Sequence, residues 1–291
     1  MLLDKAIPVY ARDRVLSAVW CKESSTWVRE PGIRVDVMGE AGYEMVYCPV
    51  VWRDDQHYDM LLYASRYDPV SGVRSAGVAR GESKDGLSWQ IGTDYYSKGI
   101  PCGLYRDSHG TMRAVTKDTA DASVGWVRSL GDADSILGSL SVEGSLQYMD
   151  AELCISKTTA NRFNIYESGI GQLRQLNVVD LGTSGGYWES LRLQTVGQER
   201  VYTAMYTARS AWGMEIYTGT WCYSGSEVRL SEPRKALDYT GPYEKGGVRD
   251  PYIVRTGETK RLYYAGFWGI HLLMPLTHFA WRKAEHKQRD L

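Results

Sequence analysis

Short apolar runs alternate with polar turn residues along almost the whole chain. The runs are rich in Val, Ile, Tyr, Trp and Thr, and clusters of Gly, Asp, Asn and Ser separate them at close intervals. Examples are Glu44 to Trp52, Tyr58 to Ser65 and Met214 to Thr218. Helical periodicity is nearly absent, and only Asp132 to Leu140 is compatible with a helical turn or two. The pattern therefore predicts an all-β fold.

One composite unit recurs along the chain. It consists of a short polar residue, an apolar strand, a turn that carries Gly or Asp, and an aromatic strand. Five such units align at Cys48, Cys102, Asp150, Glu189 and Asp250. The steps between these residues suit one four-stranded sheet each, and five sheets fill the chain. We therefore predict a five-bladed β-propeller, with four-stranded antiparallel blades around a central funnel.

The first unit also contains the outer half of a blade. After the strand Gly77 to Arg80 comes Ser83-Lys84-Asp85-Gly86-Leu87-Ser88-Trp89. The Asp-Gly pair predicts a tight turn, and Trp89 can fill the space between neighbouring blades. A plain hairpin is the alternative interpretation.

Both ends of the chain carry strand-like segments. We expect Ala18 to Trp20 and Phe279 to Trp281 to combine in the last blade and to close the ring. No linker or low-complexity stretch divides the 291 residues. This predicts a single propeller domain over residues 1–291.

The charge distribution argues against several classes of partner. The chain carries 34 Lys and Arg against 35 Asp and Glu, a net charge of −1, and shows no basic stripe that would favour nucleic acid or anionic lipid. No segment approaches the roughly 18 apolar residues of a membrane span. Met1 to Lys5 is too short and too polar for a secretion signal. We therefore expect a cytoplasmic protein with neither nucleic acid nor a membrane as partner.

The cysteines and histidines form no recognisable metal motif. Five widely spread cysteines include no Cys-x-x-Cys pair, which argues against a disulfide framework or a zinc knuckle and favours a reducing compartment. There is no His-Glu-x-x-His and no EF-hand spacing. We predict no metal and no cofactor, although a hard cation held by axial acids stays an alternative.

Two short stretches carry a resemblance to a known group of proteins. Arg249-Asp250-Pro251 with the following Leu262 to Gly266, and the Ser83 to Trp89 segment, resemble motifs of the five-bladed β-propeller glycoside hydrolases of the arabinanase/β-xylosidase and invertase/levansucrase types. The resemblance implies that Asp250 is the carboxylate that orients substrate. The two other carboxylates of those families have no unambiguous match, and Cys48 stands where the first-blade Asp is expected.

Acids at the starts of innermost strands would converge on a funnel. Glycoside cleavage needs two carboxyl groups, roughly 5–5.5 Å apart for retention and roughly 6.5–9.5 Å apart for inversion. Asp150 and Glu152 are two apart on a predicted strand and should face the same way. We predict that Asp250 orients the substrate, that Glu189 is the general acid, and that Asp150, or Glu152 instead, is the base or nucleophile. Solvation at a strand end, for Asp150 and Glu152, and a turn cap, for Asp250, are the structural alternatives.

Further residues are candidates for substrate binding. They are Glu152, Trp188, Arg249, Tyr252, Trp268 and His271. Trp188 beside Glu189 suits a sugar platform or the core, and His271 suits a pocket rim or a structural role. Arg249 could hold a neighbouring carboxylate or bind a hydroxyl or an anionic group. The 21 Tyr and 10 Trp suit both strand surfaces and sugar faces.

Two hypotheses of function follow. The first is a carbohydrate-active enzyme, a glycoside hydrolase or a glycosyl-transferring enzyme that uses carboxylates in the funnel. The second is a catalytically silent propeller that binds a glycan, a sugar nucleotide or a protein partner, which the cysteine at the first-blade position favours. Two acids facing one funnel at a hydrolytic separation would support the enzyme, whereas acids held by arginines would support binding.

Overall fold

The computed structural model describes residues 14–21, 27–29, 34–36, 43–53, 57–68, 70–107, 109–130, 135–150, 152–169, 172–181, 187–195, 201–209, 214–224, 227–230, 234–237, 247–256 and 259–267. Within these ranges every helix or strand assigned is a β-strand, which confirms the all-β prediction. None of these residues forms a helix of the length and apolarity needed to cross a lipid bilayer.

The described part of the chain contains twenty-two strands. In chain order they are β1 (Arg14–Cys21), β2 (Trp27–Arg29), β3 (Val35–Asp36), β4 (Met45–Arg53), β5 (Tyr58–Tyr67), β6 (Arg74–Ser83), β7 (Gln90–Ser97), β8 (Ile100–Arg106), β9 (Met112–Lys117), β10 (Val124–Ser129), β11 (Ile136–Ser141), β12 (Ser145–Met149), β13 (Leu153–Thr159), β14 (Arg162–Gly169), β15 (Gln172–Asp180), β16 (Tyr187–Thr195), β17 (Val201–Arg209), β18 (Met214–Ser224), β19 (Glu227–Leu230), β20 (Arg234–Leu237), β21 (Gly247–Thr256) and β22 (Thr259–Phe267).

Three separate antiparallel sheets have four strands each. Their orders are β4-β5-β6-β7, β8-β9-β10-β11 and β12-β13-β14-β15, so each sheet is a meander of consecutive strands. The second of these contains β11 in the stretch where the sequence is compatible with a helical turn or two. Ile136–Ser141 pairs with β10 instead and forms the outer strand of that sheet.

The remaining strands form one ten-stranded sheet in two antiparallel parts. In the first part β16, β17 and β18 are consecutive neighbours, and both β19 and β20 pair with the far edge of β18. In the second part β21, β22 and β1 are neighbours, and β2 and β3 pair with β1. A single parallel pair, Met214 with Gly247, joins the parts. These sheets confirm a propeller arrangement of antiparallel four-stranded sheets, while the count of five blades stays a prediction.

The N-terminal strand completes the sheet that contains the last hairpin. β1 pairs antiparallel with β22 over its whole length, from Arg14 opposite Phe267 to Cys21 opposite Lys260. Ala18 to Trp20 therefore lie beside the hairpin of β21 and β22, and the closure of a ring by the two ends of the chain stays a prediction. Phe279 to Trp281 lie outside the described residues.

The apolar faces of the sheets share one large core. Val46, Leu61, Leu104, Ile155 and Leu191 belong to the same cluster of buried side chains although they come from four different sheets. Fully burying one such side chain contributes about 1.5–3 kcal/mol. The innermost strands also contact one another in a cycle: β4 with β8, β8 with β12, β12 with β16, β16 with β21, and β21 with β4.

The turn of residues 83–89, called here the Asp-Gly turn, is fixed by its own side chains. Asp85 Oδ1 accepts hydrogen bonds from the backbone N–H groups of Leu87 and Ser88 at 2.7 and 2.8 Å. Ser83 Oγ donates to Asp85 Oδ1 at 3.0 Å and accepts from Gly86 N. These bonds hold the pKa of Asp85 below its ordinary value. Gly86 occupies the left-handed region, at φ +70°, which is accessible to glycine at little cost.

The Asp-Gly turn docks on β22. Tyr263 Oη donates to the carbonyl of Gly86 at 2.9 Å, and Arg261 Nη1 donates to the carbonyl of Asp85 at 3.0 Å. The ring of Trp89 packs edge-on against Tyr263, with centroids 5.9 Å apart. Trp89 thus fills the space between two sheets, as the sequence predicted, and the turn joins the first sheet to the last hairpin.

Candidate active site

A bulge marks the same place in each of the innermost strands β4, β8, β12, β16 and β21. The pairing with the second strand shifts register between Tyr47 and Val50, Pro101 and Gly103, Leu146 and Tyr148, Trp188 and Ser190, and Arg249 and Tyr252. The residues inside these bulges are Cys48 with Pro49, Cys102, Gln147, Glu189, and Asp250 with Pro251. A bulge removes a residue from the ladder and re-aims its side chain. Four of the five aligned residues therefore hold equivalent positions.

Cys48 and Asp250 share an unusual backbone conformation. Their φ angles are +51° and +55°, in the left-handed region that residues other than glycine rarely occupy. Each precedes a proline, which has no N–H to give to the strand ladder, so the pairing is interrupted at both sites. The match in conformation makes Cys48 the structural counterpart of Asp250 in the first sheet.

The bulges surround a cavity, called here the axial pocket. It has a volume of about 70 Å³ open to the centres of water molecules, where one water needs about 10–15 Å³. It can therefore hold roughly five waters, a single anionic group or part of one sugar ring. Its walls are Cys48, Ile100, Pro101, Cys102, Lys117, Gln147, Ser190, Arg192, Thr207, Arg249 and Asp250.

Asp250 is the carboxylate of the axial pocket and is held by its neighbour in sequence. Its side chain is buried, with 5% of the residue exposed, and Oδ2 accepts from Arg249 Nε at 2.7 Å. The guanidinium of Arg249 also lies over the ring of Tyr47, 5.2 Å from its centroid. Burial lowers the pKa of the Arg249 guanidinium, but Asp250 together with Cys48 and Tyr47 raises it, so that the pKa lies above its ordinary value. The ion pair fixes the direction of the carboxylate.

The two thiols of the axial pocket remain protonated near neutral pH. Burial raises the pKa of Cys48 to about 12, and the negative charge of Asp250 adds to the rise. Burial also raises the pKa of Cys102. A nucleophilic or metal-binding cysteine needs a lowered pKa. Cys48 therefore cannot supply the negative charge of a carboxylate at the bulge of β4.

Two cations that the sequence did not single out also line the axial pocket. Arg192 is 3% exposed, its Nη1 donates to the carbonyl of Pro49 at 3.2 Å, and its guanidinium lies 5.8 Å from the ring centroid of Tyr252. Lys117 Nζ lies 3.4 Å from Ser145 Oγ. The available signal for Arg192 was its spacing, because residues two apart on a strand face the same way and Ser190, which directly follows the bulge of β16, also lines the pocket.

Asp150 and Glu152 lie in a turn, so the prediction that they share a strand is wrong. β12 ends at Met149 and β13 begins at Leu153. Asp150 Oδ1 accepts from the backbone N–H groups of Glu152 and Leu153, both at 2.8 Å, and Tyr148 Oη donates to Oδ2 at 3.0 Å. Asp150 caps this turn because a short carboxylate competes well for nearby backbone donors. Glu152 is exposed.

The residue of the third sheet that reaches the axial pocket is Gln147. Asp150 is three residues further along the chain, which corresponds to about 10 Å along a strand. Burial nevertheless raises the pKa of Asp150 to about 6, against the lowering effect of its hydrogen bonds. The raised pKa therefore belongs to a turn residue and not to a wall of the pocket.

The other predicted site residues fall in three kinds of place. Trp188 is 5% exposed in the core, where its ring packs edge-on against Tyr217 at 5.3 Å. Tyr252 is also buried and lies beside Arg192. Glu189 has its backbone in the bulge of β16, but its side chain is outside what the structure describes, as are Trp268 and His271 entirely.

No family model matches the sequence, and no curated protein matches it. Solved structures of similar fold include the catalytic domain of a GH62 α-L-arabinofuranosidase from Coprinopsis cinerea, at a TM-score of 0.53 and 9% identity over 83% of this chain and 85% of that one. An α-L-arabinofuranosidase from Podospora anserina in complex with cellotriose gives 0.52 and 9% over 86% and 96%. A β-1,2-mannobiose phosphorylase from Listeria innocua, in complex with β-1,2-mannobiose, gives 0.51 and 11% over 80% and 92%. At these identities the likeness shows the fold alone, and this chain has the β-propeller fold found in these carbohydrate-active enzymes.

Proposed function

We propose that the chain is a single five-bladed propeller. The closed cycle of contacts among β4, β8, β12, β16 and β21 supports five innermost strands around one axis. The two antiparallel parts of the ten-stranded sheet, joined by one parallel pair, would be the fourth and fifth blades. The pairing of β1 with β22 would close the ring between the ends of the chain.

We propose that this propeller binds a carbohydrate in the axial pocket and does not cleave it. The observation that carries the proposal is the number of carboxylates. Asp250 is the only one among the described side chains of the pocket wall, and Arg249 holds it. Hydrolysis of a glycosidic bond needs two. In the first sheet the equivalent side chain is the protonated thiol of Cys48.

The pocket wall has the polar groups that a sugar requires. Asp250 accepts hydrogen bonds, Ser190 and Thr207 can donate or accept, and Gln147 can do both with its amide. Such a mixture suits the hydroxyl groups of a sugar ring. The resemblance of Arg249-Asp250-Pro251 to a substrate-orienting motif, and the fold shared with proteins that hold cellotriose or mannobiose, support the same class of ligand.

A glycoside hydrolase is the second candidate, and one observation favours it. Glu189 lies in the bulge of β16 that corresponds to the bulge of Asp250 in β21. If its carboxylate faces the axial pocket, Glu189 and Asp250 would be the pair that hydrolysis needs, with Glu189 as the general acid.

Binding and turnover measured on the same proteins separate these functions. We would test p-nitrophenyl glycosides for hydrolysis and free monosaccharides for binding by calorimetry, with wild type, Asp250→Asn and Glu189→Gln. Glu167→Gln, which changes an exposed carboxylate on β14, is the control. The proposal expects that none of these proteins hydrolyses a glycoside. It expects Asp250→Asn to weaken sugar binding at least tenfold, whether or not Glu189→Gln weakens it as well. Turnover that Glu189→Gln abolishes would establish the hydrolase, and a lack of binding to any sugar would refute a carbohydrate ligand.

A further inference from the structure

We propose that the ligand of the axial pocket carries an anionic group, a carboxylate or a phosphate on a sugar, and that Arg192 and Lys117 bind it. The inference rests on the proposed function, because it takes the axial pocket as the ligand site. It adds the charge of the ligand, which neither the sequence motif nor the fold provides.

The axial pocket contains more positive than negative charge. Among its described side chains Lys117, Arg192 and Arg249 are cationic, whereas Asp250 is the single carboxylate. Arg249 and Asp250 offset each other through their ion pair at 2.7 Å. The thiols of Cys48 and Cys102 contribute no charge near neutral pH, since burial raises the pKa of both. The excess positive charge therefore resides on Arg192 and Lys117.

Arg192 is a buried cation without a carboxylate. It is 97% buried, and among the described residues its partners are the carbonyl of Pro49 and the ring of Tyr252. A guanidinium has five N–H donors, so one carbonyl leaves most of them unused. A charge taken out of water without an ion-pair partner costs several kcal/mol. Such a residue in the wall of a polar cavity indicates that a ligand supplies the missing negative charge.

Lys117 places a second cation in the same cavity from a different sheet. It ends β9, is half-buried, and has one long contact to the hydroxyl of Ser145 at 3.4 Å and no ion pair with any described carboxylate. Lys117 and Arg192 are also the two groups that oppose most strongly the burial-driven rise in the pKa of the Cys102 thiol. Both charges therefore act on the same small volume.

The size and chemistry of the cavity limit the ligand class. A space of about 70 Å³ holds one anionic group with part of a sugar ring and does not hold an oligosaccharide. The planar fork of Arg192 matches the two oxygens of a carboxylate or a phosphate, and Lys117 adds a point charge. The ligand class is therefore a monosaccharide acid or a monosaccharide phosphate.

Matched ligands test the charge. We would titrate the wild-type protein by calorimetry with glucose, glucuronate, glucose 6-phosphate and inorganic phosphate, and with the corresponding galactose series. We expect at least one acid or phosphate to bind at least tenfold more tightly than its neutral parent, and added salt to reduce that preference. Neutral and anionic sugars of equal affinity would overturn the inference and leave the carbohydrate proposal intact. Binding of inorganic phosphate without any sugar would support the anion site and refute the carbohydrate proposal.

Variants assign the effect to the two cations. Arg192→Gln should weaken the anionic ligand about 10- to 100-fold and Lys117→Gln about 3- to 10-fold, while the neutral parent changes less than about threefold. Arg174→Gln removes an exposed cation paired with Glu167 and should change nothing. Unfolding in urea shows whether the buried Arg192 variant is folded, and the half-buried Lys117 variant gives a second test if it is not. Equal affinities in the Lys117→Gln, Arg174→Gln and wild-type proteins would refute the assignment.

Discussion

The contact between the Asp-Gly turn and β22 can be tested with one methyl group. Replacing Gly86 by Ala places a Cβ 2.6 Å from Arg261 Nη1, 2.7 Å from Tyr263 Oη and 3.2 Å from Tyr58 Cε1. Real Cβ atoms do not show the first two distances, so either the turn must move away from β22 or the tips of Arg261 and Tyr263 must move away from the turn. The hydrogen bond from Tyr263 to the carbonyl of Gly86, which is buried, would then be lost or lengthened.

Two effects set the size of the change. An alanine at φ +70° costs roughly 1–2 kcal/mol relative to its usual conformation. A buried hydroxyl that loses its acceptor costs about 1–3 kcal/mol more. Gly86→Ala should therefore lower the free energy of unfolding by about 2–5 kcal/mol. Gly72 offers a matched control, because its φ is +71° and a Cβ there would meet nothing within 4 Å.

Equilibrium unfolding in urea, followed by tryptophan fluorescence, measures both variants. Gly72→Ala should show only the conformational cost, about 1–2 kcal/mol, and Gly86→Ala should exceed it by about 1–3 kcal/mol. With a slope near 3 kcal/mol per molar urea, the two midpoints should differ by roughly 0.3–1 M. Equal losses in the two variants would show that the turn does not hold β22, and would refute the reasoning.

Three further predictions concern the buried polar groups. Asp150 has a pKa of about 6 against 3.8 in the unfolded chain, so its ionisation opposes folding, and the free energy of unfolding should fall by about 1–3 kcal/mol as pH rises from 4 to 6. Urea unfolding at several pH values should show that Asp150→Asn lacks this loss, and a pH profile equal to that of the wild type would contradict the prediction. Arg192→Met should leave the unliganded protein as stable as the wild type or up to about 2 kcal/mol more stable, because it removes a buried charge that has no carboxylate partner among the described residues. A fall of more than about 2 kcal/mol in the free energy of unfolding, measured in urea, would contradict this description of Arg192. Ellman's reagent should modify the half-buried Cys222 before Cys48 and Cys102 in the native protein, and equal rates contradict their burial.

The strand pattern was sufficient to predict the fold class, but not the register within each sheet. Cys48 and Asp250 were aligned from the short polar residue at the start of each unit, and they hold equivalent positions because an X-Pro pair interrupts the ladder in both strands. In the third sheet the acidic Asp150 predicts the wrong position, because the bulge lies at Gln147, three residues earlier. A carboxylate is a chemical cue, and a turn uses it as readily as an active site.

The cations of the pocket were harder to predict than its acid. Asp250 belongs to a recognisable tripeptide, whereas Arg192 is one of 34 basic residues and has no local motif. Its importance comes from three distant segments, since β4 supplies a carbonyl, β21 a ring and β16 the arginine. Only the folded arrangement of these strands shows that no carboxylate among the described residues pairs with Arg192.

The pairing of β1 with β22 affects how this protein is made. β1 is synthesised early, but the strand that it pairs with leaves the ribosome only after nearly all of the other sheets. Until then both edges of the growing array are open to pairing with other chains, which is a risk of aggregation. A circular permutant in which a linker connects β22 to β1 and the chain begins before β4 would make β21, β22 and β1 consecutive, and the nascent chain could then complete each sheet in turn.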